Sequence, residues 1–149
     1  MESKPLLALL VVAVIAVVGY MVYKIGFDGY TVRPEQIFAE TFTDLPTQIE
    51  DLSGGGTKSG SYDIWLKFKT PGRMAVLKYK DDFKKDDADQ ELARRWFAEH
   101  LTKPPVKSLE NSQDWKFFKC VKSETQSISQ EWLMYNWKTD ENLYRKWGY

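Results

Sequence analysis

One cysteine and one histidine among 149 residues remove several kinds of chemistry before any motif is sought. Cys120, standing alone, closes no intrachain disulfide, so the fold must rest on its core rather than on covalent staples. His100, standing alone, rules out two-histidine metal cages and leaves any triad scheme with a single ring to use. Net charge is missing too. Lysine and arginine number 21 and aspartate and glutamate 21, and setting aside Glu2 and Lys4 leaves 20 of each beyond the first apolar run. A chain without a net basic face is not expected to bind nucleic acid.

A phosphate loop is absent as well. Ser53 to Ser61 reads SGGGTKSGS, but Thr57 separates Gly56 from Lys58, and the residues after Ser61 follow a strand pattern. A phosphate cradle needs lysine directly after the last glycine and a helix directly after that. The expectation is therefore a loop of eight or nine residues between two strands. Asp87 to Glu91 has the alternating acids of a calcium loop, yet Leu92 stands where glycine is required and Ala98 where the closing acid belongs. Asp81, Asp82, Asp86 and Asp87 are interleaved with Lys80, Lys84 and Lys85, which neutralise them. A Cys120 nucleophile with His100 as base is formally conceivable, but a cysteine in mid-strand between Lys119 and Val121 is ordinarily a small packing residue. No catalytic, cofactor-binding or metal-ligating residue is assigned, and no small-molecule substrate is expected.

What the sequence does have is a long hydrophobic run. Pro5 to Tyr23 passes 19 positions without a charge, between Lys4 and Lys24. As a helix it would extend roughly 28 Å, close to the hydrocarbon thickness of a bilayer. No A-x-A cleavage pattern follows, which favours an uncleaved signal anchor over a secretory signal. Pro5, Leu10, Val14, Gly19, Tyr20 and Tyr23 mark the expected span, with Tyr20 and Tyr23 at the headgroup level. Ala8, Ala13, Ala16 and Gly19 would let neighbouring helices approach. The short flanks carry similar basic counts; a four-residue tail suggests a cytoplasmic start, with the remainder on the extracytoplasmic, periplasmic side of a bacterial inner membrane. The organisation expected is a tail (1–4), a transmembrane helix (5–23), a juxtamembrane linker (24–33) and a soluble α+β domain (34–149).

Within that domain, Pro34 to Phe42 has Ile37, Phe38 and Phe42 at helical spacing behind an N-terminal proline. Asp87 to Leu101 is the clearest helix, with Asp87 and Gln90 spaced as a capping box and Leu92, Ala93, Trp96, Phe97, His100 and Leu101 as its stripe. Arg73 to Tyr79 is expected as a third, short helix. Tyr62 to Lys69 alternates as a strand, Thr47 to Leu52 is a weaker one, and three more strands are expected at Trp115 to Lys122, Glu131 to Lys138 and Asn142 to Trp147. Together these predict a four- or five-stranded, mostly antiparallel sheet with two or three helices on one face.

Aromatic residues make up 15% of the chain and occupy both faces of the predicted strands. If helices cover one face, aromatics on the other must be partly exposed or covered by something else. Trp65, Trp132, Met134, Trp137, Tyr144 and Trp147 are the candidate interface residues. These features suggest a non-catalytic, membrane-anchored accessory or assembly subunit, with the bilayer and other integral membrane proteins as partners. The alternatives are an anchored inhibitor or immunity protein using the same sheet face, or an envelope ligand-binding module, which would need a pocket between helix and sheet.

Overall fold

The computed structural model describes residues 11–22, 30–59, 61–79, 83–85, 88–101, 106–124 and 127–149. Its centre is an antiparallel sheet of seven strands: β1 (Tyr30–Thr31), β2 (Glu50–Ser59), β3 (Ser61–Lys69), β4 (Lys84–Lys85), β5 (Trp115–Glu124), β6 (Ser127–Asn136) and β7 (Glu141–Gly148). They lie in the order β1-β2-β3-β7-β6-β5-β4. Three helices accompany it: α1 (residues 11–22), α2 (Pro34–Thr41) and α3 (Gln90–His100). The α+β class agrees with the sequence reading; the four or five strands expected there are corrected to seven.

The added strands are the two-residue edges β1 and β4, while the weaker candidate at Thr47 to Leu52 is met by β2, which starts at Glu50 and continues through the glycine run. Gly54, Gly55 and Gly56 pair in register with Leu66, Trp65 and Ile64, so the expected loop is strand. Glycine is required there by close approach. A Cβ on Gly54 would overlap the Trp65 carbonyl oxygen, and one on Gly56, whose φ is +140°, would overlap that of Asp63. The chain reverses between the paired Ser59 and Ser61. Gly60 lies outside the described residues.

Arg73 to Tyr79 is not the expected helix. After a turn in which Gly72 has φ +75°, this segment runs beside the end of α2: Leu77 bridges Phe42, Thr43 N donates to Val76 O at 2.8 Å and Lys78 N to Thr41 O at 3.0 Å. Those pairings satisfy backbone groups that a helix would have bonded internally. Helix α3 begins at Gln90, and Asp87, where the sequence reading starts it, lies outside the described residues. Asp89 stands at its N-cap without a side-chain cap bond, because its carboxylate is paired with Lys119 across on β5.

Adjacent residues on each central strand divide between two cores, which places one helix on each face of the sheet. Leu66, Leu133 and Tyr144 belong with Ile37, Phe38 and Phe42 of α2. Trp65, Trp132, Met134, Leu143 and Trp147 belong with Ala93 and Phe97 of α3 and with Val106 and Leu109 of the turns that follow. The expectation of helices on one face is thus corrected: aromatics occupy both faces because both faces are covered.

Among the described residues no helix is long and apolar enough to cross a membrane. The described part of the expected span is α1, residues 11–22; residues 5–10 and 23 of that span lie outside the described residues. The single-pass localisation with a periplasmic domain is corrected on that finding. Val14, Gly19 and Tyr20 lie in α1 and are exposed; Pro5, Leu10 and Tyr23 fall outside the described residues.

Candidate functional site

Helix α2 has eight residues, so it runs about 12 Å, whereas strands of eight to ten residues run about 30 Å. It therefore covers only part of its face. Beyond its last turn lies an open cleft of about 420 Å³, bounded by Glu40 and Thr41 of α2, by Tyr79, and by Lys58, Ile64 and Lys146 of the sheet.

The floor is one cross-strand row. Register places Gly56 beside Ile64, Ile64 beside Lys146, Lys146 beside Glu131 and Glu131 beside Cys120. Gly56 places no side chain over the row beside Ile64. Glu131 is only 4% exposed yet carries a carboxylate, and its two oxygens are both engaged. Tyr144 Oη donates to Oε2 at 2.7 Å, and Lys146 Nζ lies 3.2 Å from Oε1. Burial, and then the charge of Glu131, push the Tyr144 hydroxyl well above the ordinary tyrosine value, so it stays protonated and donating.

The walls are aromatic. Tyr62 lies over Gly148, where an added Cβ would sit 2.9 Å from the tyrosine oxygen, and Lys146 Nζ is 5.9 Å from its ring centre. Lys122 Nζ stands 4.3 Å above the ring of Tyr79. Glu40 accepts from Gln36 Nε2 at 3.1 Å. Lys58, exposed at the β2 rim, has no side-chain partner among the described residues.

The six residues singled out as an interface do not form one surface. Trp65, Trp132, Met134 and Trp147 are in or against the α3-side core, Tyr144 is buried on the opposite face, and Trp137 is 52% exposed in the turn after β6. On the α3 side the rings enclose Arg145. Its guanidinium lies 3.8 Å from the centre of Trp96, 4.4 Å from Trp147 and 5.4 Å from Trp132, and it holds Asp63 by two hydrogen bonds of 2.9 and 2.7 Å. His100 stacks on the outer side of Trp96 with ring centres 4.1 Å apart.

Cys120 and His100 do not meet. The thiol is buried in the row beside Glu131 on the α2 face, whereas the imidazole is exposed on α3 across the sheet. Asp89 and Glu91 of the calcium-like stretch are paired with Lys119 and with Arg94, and Asp87 lies outside the described residues. The cleft residues Lys58, Tyr62, Glu131 and Lys146 were not singled out from the sequence, since only the β3-β7-β6 order brings them together. No protein family, curated protein or solved structure matches this chain.

Proposed function

We propose that the protein is a non-catalytic binding module that holds a small ligand in the cleft between the end of α2 and the sheet. The supporting observation is the cleft itself: about 420 Å³, within the range of small-ligand sites, with tyrosine walls and a charged floor whose members already satisfy one another. Such a floor orients a ligand without offering a free base or nucleophile. Backbone resonances of Ile64, Glu131 and Lys146 followed through a screen of chemically diverse fragments test the reading. Fragments that shift these residues together support it; a screen in which none does would sink it.

A second reading, an accessory or assembly subunit acting through protein contacts, draws on α1. Val12, Ile15, Tyr20 and Val22 on its different sides are each more than 60% exposed, so no described part of the chain covers this helix. Apolar surface of that extent is buried by a partner protein in such a reading. Recovery of a stoichiometric partner with the full chain, lost when residues 1–24 are removed, is the outcome it requires.

A further inference from the structure

We propose that the cleft's ligand is a small, planar aromatic monoanion, a carboxylate whose ring lies against the tyrosine walls and whose charge is met by Lys58. This rests on reading the cleft as a binding site and adds the ligand's chemical class.

The charged groups of the cleft differ in how far they are already engaged. Among the cleft's acids, Glu131 is held by Tyr144 and Lys146, and Glu40 accepts from Gln36. Among its bases, Lys146 is committed to Glu131, while Lys58 has no side-chain partner among the described residues. An anion therefore gains a cation that no described side chain occupies. A cation would meet only Glu40, exposed at the α2 edge and already accepting from Gln36, unless it displaced Lys146 from a buried carboxylate, at the cost of leaving one charge unpaired in the interior.

One uncommitted lysine matches one negative charge. Multiply charged phosphates are ordinarily held by backbone amides at a helix start, and among the described residues the helix end bordering this cleft is the carboxyl end of α2, at Glu40 and Thr41. The walls decide the rest of the ligand. Tyr62, Tyr79 and Ile64 present flat or branched apolar surface, and the hydroxyls of Tyr62 and Tyr79 have no hydrogen-bond partner among the described residues. Ring against ring is favoured in offset or edge contacts, which a planar aromatic acid can make and a flexible aliphatic acid cannot. The cleft volume, near the low end for small-ligand sites, excludes an extended polymer.

The experiment titrates the full chain with indole-3-carboxylate, its neutral amide and benzylammonium, monitored by backbone amide shifts and by calorimetry, in parallel with Lys58→Met and Lys58→Arg. The expected result is carboxylate binding that shifts Tyr62, Ile64 and Lys146, is weakened about tenfold by the amide exchange or by Lys58→Met, and is restored in part by Lys58→Arg. Benzylammonium or the amide binding as tightly as the acid, or Lys58→Met binding unchanged, would overturn the anion assignment while leaving a cleft that binds. Silence of all three probes at millimolar concentration, with the fragment screen also silent, would remove the cleft reading itself.

Discussion

Arg145 offers the sharpest test of how α3 is held to the sheet. Its side chain is 12% exposed, with its guanidinium between Trp96 of α3 and Trp147 of β7, while its partner Asp63 is 45% exposed. Two contributions are separable. The ion pair, with one member half in water, contributes about 0.5 kcal/mol once screening is allowed for. The guanidinium over desolvated indole rings contributes more, about 1 to 2 kcal/mol. Arg145→Met keeps most of the apolar stem, so the expected loss is about 2 kcal/mol, whereas Asp63→Asn is expected to cost only about 0.5 kcal/mol. A double-mutant cycle with Trp96→Leu isolates the ring contact, with an expected coupling of about 1 kcal/mol. Urea unfolding followed by far-ultraviolet circular dichroism is the appropriate assay, since tryptophan fluorescence changes with the substitution itself. Additivity within about 0.3 kcal/mol would refute the idea that the cation ties the helix to the sheet. An Asp63→Asn loss equal to that of Arg145→Met would assign the effect to the ion pair instead.

Phe38→Ala removes a fully buried ring whose centre lies 5.1 Å from those of Phe42 and Phe68, and is expected to cost about 3 to 5 kcal/mol in urea unfolding; a loss under about 1 kcal/mol would mean that α2 does not cover this face. Gly56→Ala combines φ +140° with overlap at the Asp63 carbonyl and is expected to cost more than about 1 kcal/mol, while Gly55→Ala, with nothing within 4 Å of the new carbon, should lie within about 0.5 kcal/mol of the parent. Equal melting temperatures for those two variants would place the glycine run outside the sheet. Tyr144 carries a pH signature: its folded value is raised by burial and then by Glu131, so its contribution to stability is intact below the ordinary value of about 10 and is lost as pH climbs through the folded value. Tyr144→Phe should flatten the alkaline limb of stability against pH, leaving a residual slope from Tyr135, which burial and Asp140 also raise; parallel limbs would contradict the buried hydroxyl.

Much of the frame was legible because side-chain periodicity is local. Alternation along Tyr62 to Lys69 located β3, and Ile37, Phe38 and Phe42 located α2 and the residue that leaves it. The glycine run was misread because glycine carries no periodicity: what makes it a strand is the approach of Trp65, Leu66 and Ile64, which is visible only after pairing. Arg73 to Tyr79 failed for a related reason, its backbone partners being Thr41 to Thr43, some thirty residues earlier. The alternation of Trp132, Leu133, Met134 and Tyr135 did record that both sheet faces carry large apolar groups. Its meaning was missed because Val106 and Leu109, which help α3 to cover the second face, sit in short turns without helical spacing.

The same difference in cover explains why the cleft lies where it does. On one face, eleven-residue α3 is supplemented by the segment carrying Val106 and Leu109, and the large rings of Trp65, Trp96, Trp132 and Trp147 fill the remaining depth around Arg145. Little of that face is left to a ligand. On the other, α2 stops after eight residues, and the strand segment beyond Leu77 turns away at Lys78 and Tyr79. The row beyond the helix holds Ile64, Lys146 and Glu131, two of them charged. A sheet face with buried charge is stable only if the charges satisfy one another, which is what the Tyr144, Glu131 and Lys146 contacts accomplish. Removing Lys146 alone would leave the Glu131 carboxylate with a single donor in the interior, so this pair belongs to the integrity of the fold as much as to the floor of the cleft. Lys58 stands apart from that network at the rim, where it can be changed without disturbing the fold beneath it.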